Sequence, residues 1–146
     1  MGTRFVLPVA PDVQLEGGET ISTGVFNLKV LWTPGHSKGH VCLYEPANKL
    51  FFSGDHLLPT ITPNIGLHPQ SSANPLQEFI NSLRLIADMD INLILPGHEK
   101  PFTGAKERVA HSPWAFRARA TADLTSSAVA HSNCPIDSRV TGLLTL

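Results

Sequence analysis

Thr33-Pro34-Gly35-His36-Ser37-Lys38-Gly39-His40 is the stretch on which the reading of this chain turns. It follows an apolar run, Val25 to Trp32, whose β-branched and aromatic residues predict a strand. Pro34 and Gly35 stop that strand and put His36 on the turn. Further along, the same arrangement recurs twice. Phe51-Phe52-Ser53-Gly54-Asp55-His56 ends an apolar run with a carboxylate, and Leu93-Ile94-Leu95-Pro96-Gly97-His98-Glu99 ends another with an imidazole. Each of three short hydrophobic runs thus finishes in a residue able to ligate a metal, with a glycine directly before it.

Metal ligands must be deprotonated, converge on one point and be held rigidly. Strand ends supply the rigidity, and glycines let the backbone turn sharply beside the site. His36, Asp55 and His98 therefore form a candidate set of two imidazoles and one carboxylate. Nitrogen and oxygen donors of this kind suit zinc first, then iron or manganese. His36 and His40 also have the i, i+4 spacing of a helical zinc pair. Pro34, Gly35 and Gly39 disfavour a helix there, so His40 is expected to support the site through a hydrogen bond. His56, next to Asp55, faces either into the cleft or away from it, and His68 in the following loop is a substrate-side candidate. His111, His131 and Glu99 are expected at the surface. Ser37 is a poor nucleophile candidate because its neighbour His36 stands beside the hydroxyl and not opposite it. No Walker A or Gly-x-Gly-x-x-Gly pattern offers a nucleotide cradle.

The remaining elements follow from periodicity. Val13 to Leu15 reads as a strand entering a turn at Gly17-Gly18, and further strands are expected at Val41 to Tyr44, Leu50 to Ser53 and Leu93 to Leu95. Asn74-Pro75 has the form of a helix N-cap followed by Pro at the first position. Leu76, Phe79, Ile80, Leu83, Ile86 and Ala87 then give one apolar helical face. The loop from Leu57 to Asn74 carries Pro59, Pro63, Gly66 and Pro69, and structureless stretches of that length tend to be functional. A last helix is expected from Ser112-Pro113 to about Ala130, within a compositionally different tail, residues 103–146. Strands with covering helices make an α/β fold with a mostly antiparallel sheet.

Composition agrees with one domain and one buried core: 146 residues, 42% hydrophobic and 16% charged. A formal net charge of −1 provides no field to draw nucleic acid. No apolar run is long enough for a membrane span, and the N-terminus lacks a signal-peptide pattern, so a cytoplasmic protein acting on a small-molecule substrate is expected. Cys42 and Cys134 are too few and too far apart for a disulfide framework or zinc ribbon.

Taken in order, these motifs resemble the metallo-β-lactamase-fold hydrolases, closest to the glyoxalase II-like branch. Thr33-Pro34-Gly35-His36-Ser37-x-Gly39-His40 is similar to that family's third metal motif, Ser53-Gly54-Asp55 to its fourth and Pro96-Gly97-His98 to its fifth. The resemblance implies that His36 binds a first metal, Asp55 bridges two, and His98 binds the second. It further implies hydrolysis of an ester, thioester or lactone by metal-activated water. The family's leading signature, H-x-H-x-D-H, is absent, since none of the seven histidines stands two positions from another. Residues 1–102 are accordingly expected to form the C-terminal half of an αββα sandwich, truncated of its first metal motif. The alternative is a catalytically inactive fragment, or a metal-binding module that needs a partner chain, with self-association through an exposed sheet face.

Overall fold

The computed structural model describes residues 10–113, apart from 68 and 70. In chain order the elements are β1 (Thr20–Ser22), β2 (Asn27–Trp32), β3 (Val41–Glu45), β4 (Leu50–Gly54), α1 (Pro75–Ala87), β5 (Leu93–Pro96) and α2 (Ala105–Ala110). The strands make one sheet in the order β1-β2-β3-β4-β5. Neighbours from β1 to β4 are antiparallel, whereas β5 lies parallel to β4. A parallel neighbour requires a crossover, and the 57–74 loop with α1 provides it.

This topology puts the C-terminal ends of β2, β4 and β5 on the same edge of the sheet. Antiparallel pairing through β3 makes β2 run with β4, and β5 runs with β4 directly. His36, Asp55 and His98 each follow one of these three ends.

One strand lies elsewhere than its apolar pattern suggests. Val13 to Leu15 stays outside the sheet, and pairing begins after the Gly-Gly turn at Thr20. Gly18 N donates to the Val30 carbonyl and Val30 N donates to that of Glu19, both at 2.8 Å. The Glu19 carboxylate closes the turn by accepting from Glu16 N and Gly17 N. The pairing with β2 thus begins at Gly18 and continues through Thr20–Ser22, leaving Val13 exposed. The helix expected from Ser112 to about Ala130 lies almost wholly outside the described residues. A short helix, α2, precedes it, and its Ala105 and Val109 join the core.

The core lies between the helices and one face of the sheet. Cys42, Phe51 and Ile94 come from the strands, Phe79, Leu83 and Ile86 from α1, and Leu57 from the loop. On the opposite face the cross-strand pairs Val30–Leu43, Leu43–Phe52 and Phe52–Leu95 form an apolar row. Val30 is fully buried there, but Leu43, Phe52 and Leu95 are only half-buried and Trp32 is 49% exposed. No described helix is long and apolar enough to cross a membrane.

Helix α1 begins as the sequence suggests, with Asn74 Oδ1 accepting from Gln77 N at 3.1 Å and Pro75 in the first turn. Its middle docks on the turn after β2. Ser82 Oγ donates to the Pro34 carbonyl at 3.1 Å, tying helix to turn. Gly35 has φ +129, and a Cβ there would sit 2.4 Å from Phe79 Cβ. Only glycine permits both the backbone conformation and the contact. Gly35→Ala is therefore expected to cost about 2–5 kcal/mol, from backbone strain and overpacking together. Gly39→Ala, whose Cβ would meet nothing within 4 Å, is expected to stay within about 0.5 kcal/mol of wild type. Urea unfolding of the two variants checks this, and equal midpoints would refute the tight contact.

Candidate metal centre

At the shared sheet edge Asp55 stands between two imidazoles. Its Oδ2 lies 3.6 Å from His36 Nε2 and its Oδ1 3.2 Å from His98 Nε2. One carboxylate thus turns a different oxygen toward each ring. The approach depends on missing side chains, since a Cβ on Gly97 would sit 2.8 Å from Asp55 Oδ1. Gly97 N donates to the Gly54 carbonyl at 2.8 Å, which sets the two strand ends side by side.

The tautomer of His36 follows from its other nitrogen. Nδ1 lies 2.9 Å from the Asn64 carbonyl oxygen, which can only accept. A proton is therefore on Nδ1, which leaves Nε2, facing Asp55, as the nitrogen open to a metal ion. Histidines that ligate metals are held in this way, by a hydrogen bond from the nitrogen that does not ligate.

His40 lies behind the edge, its ring centroid 6.1 Å from that of His36. Its Nδ1 is 2.9 Å from Thr33 Oγ1, and its Nε2 would be 2.9 Å from a Cβ on Gly54. Burial, and secondly the nearby His36, pull its pKa below the usual histidine value. His56 faces away from the edge into the core, 1% exposed, with its ring 4.4 Å from that of Phe79. Neither of its ring nitrogens has a hydrogen-bond partner among the described residues. Burial above all, then His40 and His36, push its pKa down to about 3. His68 and His131 lie outside the described residues. His111 is exposed on the end of α2, donating from Nδ1 to the Glu107 carbonyl.

Gly35-His36-Ser37-Lys38-Gly39 spells the G-x-S-x-G pattern of a serine-hydrolase elbow, but the setting is different. That elbow joins a strand to a helix, whereas Ser37 sits exposed on a turn between β2 and β3. Two contributors carried no signal in the sequence: Asn64, which acts through its backbone carbonyl, and Glu99, which reaches Thr60. Neither belongs to a ligand-type pattern, and both contacts span at least 28 residues.

The donor set fits a metal in chemistry and falls short in number. Zinc takes four ligands, and each imidazole with one Asp55 oxygen offers two. Among the described residues no group of three or more His, Cys, Asp or Glu side chains is arranged to hold one metal ion.

The sequence profile described as "Metallo-beta-lactamase superfamily" matches residues 2–98. The chain belongs to that superfamily. Its fold agrees: a metallo-beta-lactamase family protein from Thermus thermophilus superimposes with a TM-score of 0.71 at 33% identity, over 79% of this chain and 38% of that one. Among curated proteins, the acyl-coenzyme A thioesterase MBLAC2 of Gallus gallus is 34% identical over 66% of this chain and 35% of its own length. A hydroxyacylglutathione hydrolase of Maricaulis maris is 34% identical over 69% of this chain and 37% of its own. The chain thus spans between a third and two fifths of the length of these two relatives. Members of the metallo-beta-lactamase superfamily are metal-dependent, typically with zinc.

Burial of His56 has a consequence for stability. Its folded pKa is depressed to about 3 from 6.5, so between those values the unfolded chain takes up a proton that the folded chain refuses. Its contribution is complete above pH 6.5 and is lost as pH falls toward 3. In chelator-treated protein, the stability of wild type is expected to drop more steeply between pH 6.5 and 4.5 than that of His56→Leu. Urea unfolding at stepped pH measures the difference, and parallel curves would refute the neutral buried state.

Proposed function

We propose that this chain carries part of the active centre of a metal-dependent hydrolase acting on an ester, thioester or lactone. The observation that supports this most is the split carboxylate, with one Asp55 oxygen facing His36 and the other facing His98. A carboxylate so placed suits bridging between two ions. In this reading His36 Nε2 and Asp55 Oδ2 would hold one ion, and His98 Nε2 and Asp55 Oδ1 the other, with zinc the first choice and iron or manganese the alternatives. When bound, such ions supply Lewis-acid polarisation of the scissile carbonyl and acidification of water.

The residues of this chain contribute position and proton placement. Gly97 lets the two strand ends approach, Gly54 leaves room for the His40 ring, and the Asn64 carbonyl holds a proton on His36 Nδ1. His40 is a hydrogen-bonding group behind the edge, where burial lowers its pKa and disfavours its charged form. The exposed loop between β4 and α1 lies beside this centre and is the natural place for substrate contacts. A thioester is the preferred substrate class, because an acyl-coenzyme A thioesterase and a hydroxyacylglutathione hydrolase are both among the relatives.

A second reading has an observation of its own. Two donors per ion are few, and the apolar row on the sheet face away from the helices is only half covered. Both suit a module that completes its site and covers that face by joining a partner, a second copy of this chain included.

Zinc content and turnover separate these readings. Wild-type chain is expected to bind zinc, with affinity falling at least tenfold in His36→Ala, in His98→Ala and in Asp55→Ala, as measured by competition with a chromophoric chelator. Zinc retained undiminished in all three would remove the ligand assignment. Hydrolysis of S-lactoylglutathione by the zinc-loaded chain favours the enzyme, whereas binding without turnover in a concentration-dependent dimer favours the module.

A further inference from the structure

His36 owes its orientation to the Asn64 carbonyl, and Asn64 sits on an exposed loop without regular structure. Something must keep that loop in place. The segment just before Asn64 is gripped from two directions. Arg108 on α2 donates from Nε to the Leu58 carbonyl at 2.6 Å and from Nη2 to the Ile61 carbonyl at 2.8 Å. From the other side Glu99, directly after His98, accepts from Thr60 N at 3.1 Å through Oε2 and from the Thr60 hydroxyl through Oε1. Farther along, Ser71 Oγ donates to the Gly66 carbonyl at 3.1 Å.

Two details mark the grip as specific. Glu99 adopts φ +69, a left-handed conformation that is uncommon for a residue with a side chain. Arg108 uses its planar fork to reach two carbonyls three residues apart, which the single ammonium of lysine cannot reproduce. Both partners come from elements fixed to the core, since Val109 is buried beside Arg108 and β5 leads directly to Glu99.

We infer that Arg108, Glu99 and Thr60 are positioning residues for His36. They hold residues 58–61 so that the Asn64 carbonyl stays against Nδ1 and Nε2 stays turned to Asp55. The functional meaning rests on the reading of His36 as a metal ligand, but the tautomer itself does not. In imidazole free of such a partner the proton favours Nε2, the nitrogen that a metal ion beside Asp55 would need. A loop more than forty residues distant in sequence from α2 thus decides which His36 nitrogen is available.

The test reads the tautomer directly in metal-free, chelator-treated chain. Long-range proton–nitrogen correlation spectra of ¹⁵N-histidine-labelled protein are recorded at about pH 8, above the ordinary histidine range. Wild-type His36 is expected to show a protonated-type Nδ1 and an unprotonated-type Nε2. In Arg108→Met and in Thr60→Val both shifts are expected to move toward the reverse tautomer, with partial return in Arg108→Lys. Protection of buried Cys42 from a thiol reagent reports that each variant is folded. Should Arg108→Met fail to fold, Thr60→Val, on the exposed loop, carries the test. A wild-type His36 protonated on Nε2, or shifts unchanged in the folded variants, would overturn the inference. Zinc binding measured on the same samples is a separate axis: a tautomer that responds to Thr60→Val in a chain that binds no zinc upholds the positioning and removes only the ligand reading.

Discussion

The structure depends on the parallel seating of β5 beside β4. An antiparallel β5 would have sent Gly97 and His98 to the far edge of the sheet, well away from Asp55. The parallel pair instead brings Gly97 N onto the Gly54 carbonyl, at the point where both strands end. Parallel neighbours cannot be joined by a tight turn, so the chain must travel back along the sheet before β5 begins. That return is made by the 57–74 loop and α1, and it serves two purposes. The helix covers the sheet with Phe79, Leu83 and Ile86, and the loop crosses the site edge, where Asn64 meets His36.

Close backbone approach is the second constraint. Gly35 accommodates Phe79, Gly54 the His40 ring and Gly97 the Asp55 carboxylate, so all three glycines preceding candidate ligands are there for lack of a side chain. Packing and chemistry meet at these positions. The helix that buries the core presses on the turn that carries His36, while Ser82 ties the Pro34 carbonyl to the same helix. Rigidity at the candidate centre thus derives from the core and not from the loop conformations themselves.

The histidines separate by environment. His36 and His98 stand at the edge, His40 is half-buried behind it, and His56 is enclosed beside Phe79. Adjacent positions 55 and 56 have opposite fates because β4 ends in a turn that directs one side chain to the edge and the next inward. The His56 N–H of the backbone donates to the Ser53 carbonyl at 3.0 Å, which closes that turn. Burying an imidazole with neither nitrogen bonded among the described residues opposes folding, and burial favours the neutral ring there.

Local chemistry made much of this legible from sequence. Strand ends, the Asn74-Pro75 helix start, the apolar face of α1 and the three Gly-preceded ligand candidates all rest on periodicity or on the backbone limits of Pro and Gly, which act over a few residues. Those same limits misplaced the first strand, because Val13 to Leu15 has the right residues but the pairing with β2 is filled from Gly18 onward. Tertiary structure alone decided the rest. That Asp55 divides its oxygens between two imidazoles, that Asn64 meets the His36 ring, and that Arg108 and Glu99 grip one loop are contacts between residues 19 to 50 positions apart. A residue's type says what it can bond; which partner it meets across such distances is determined by the order and direction in which the strands pack.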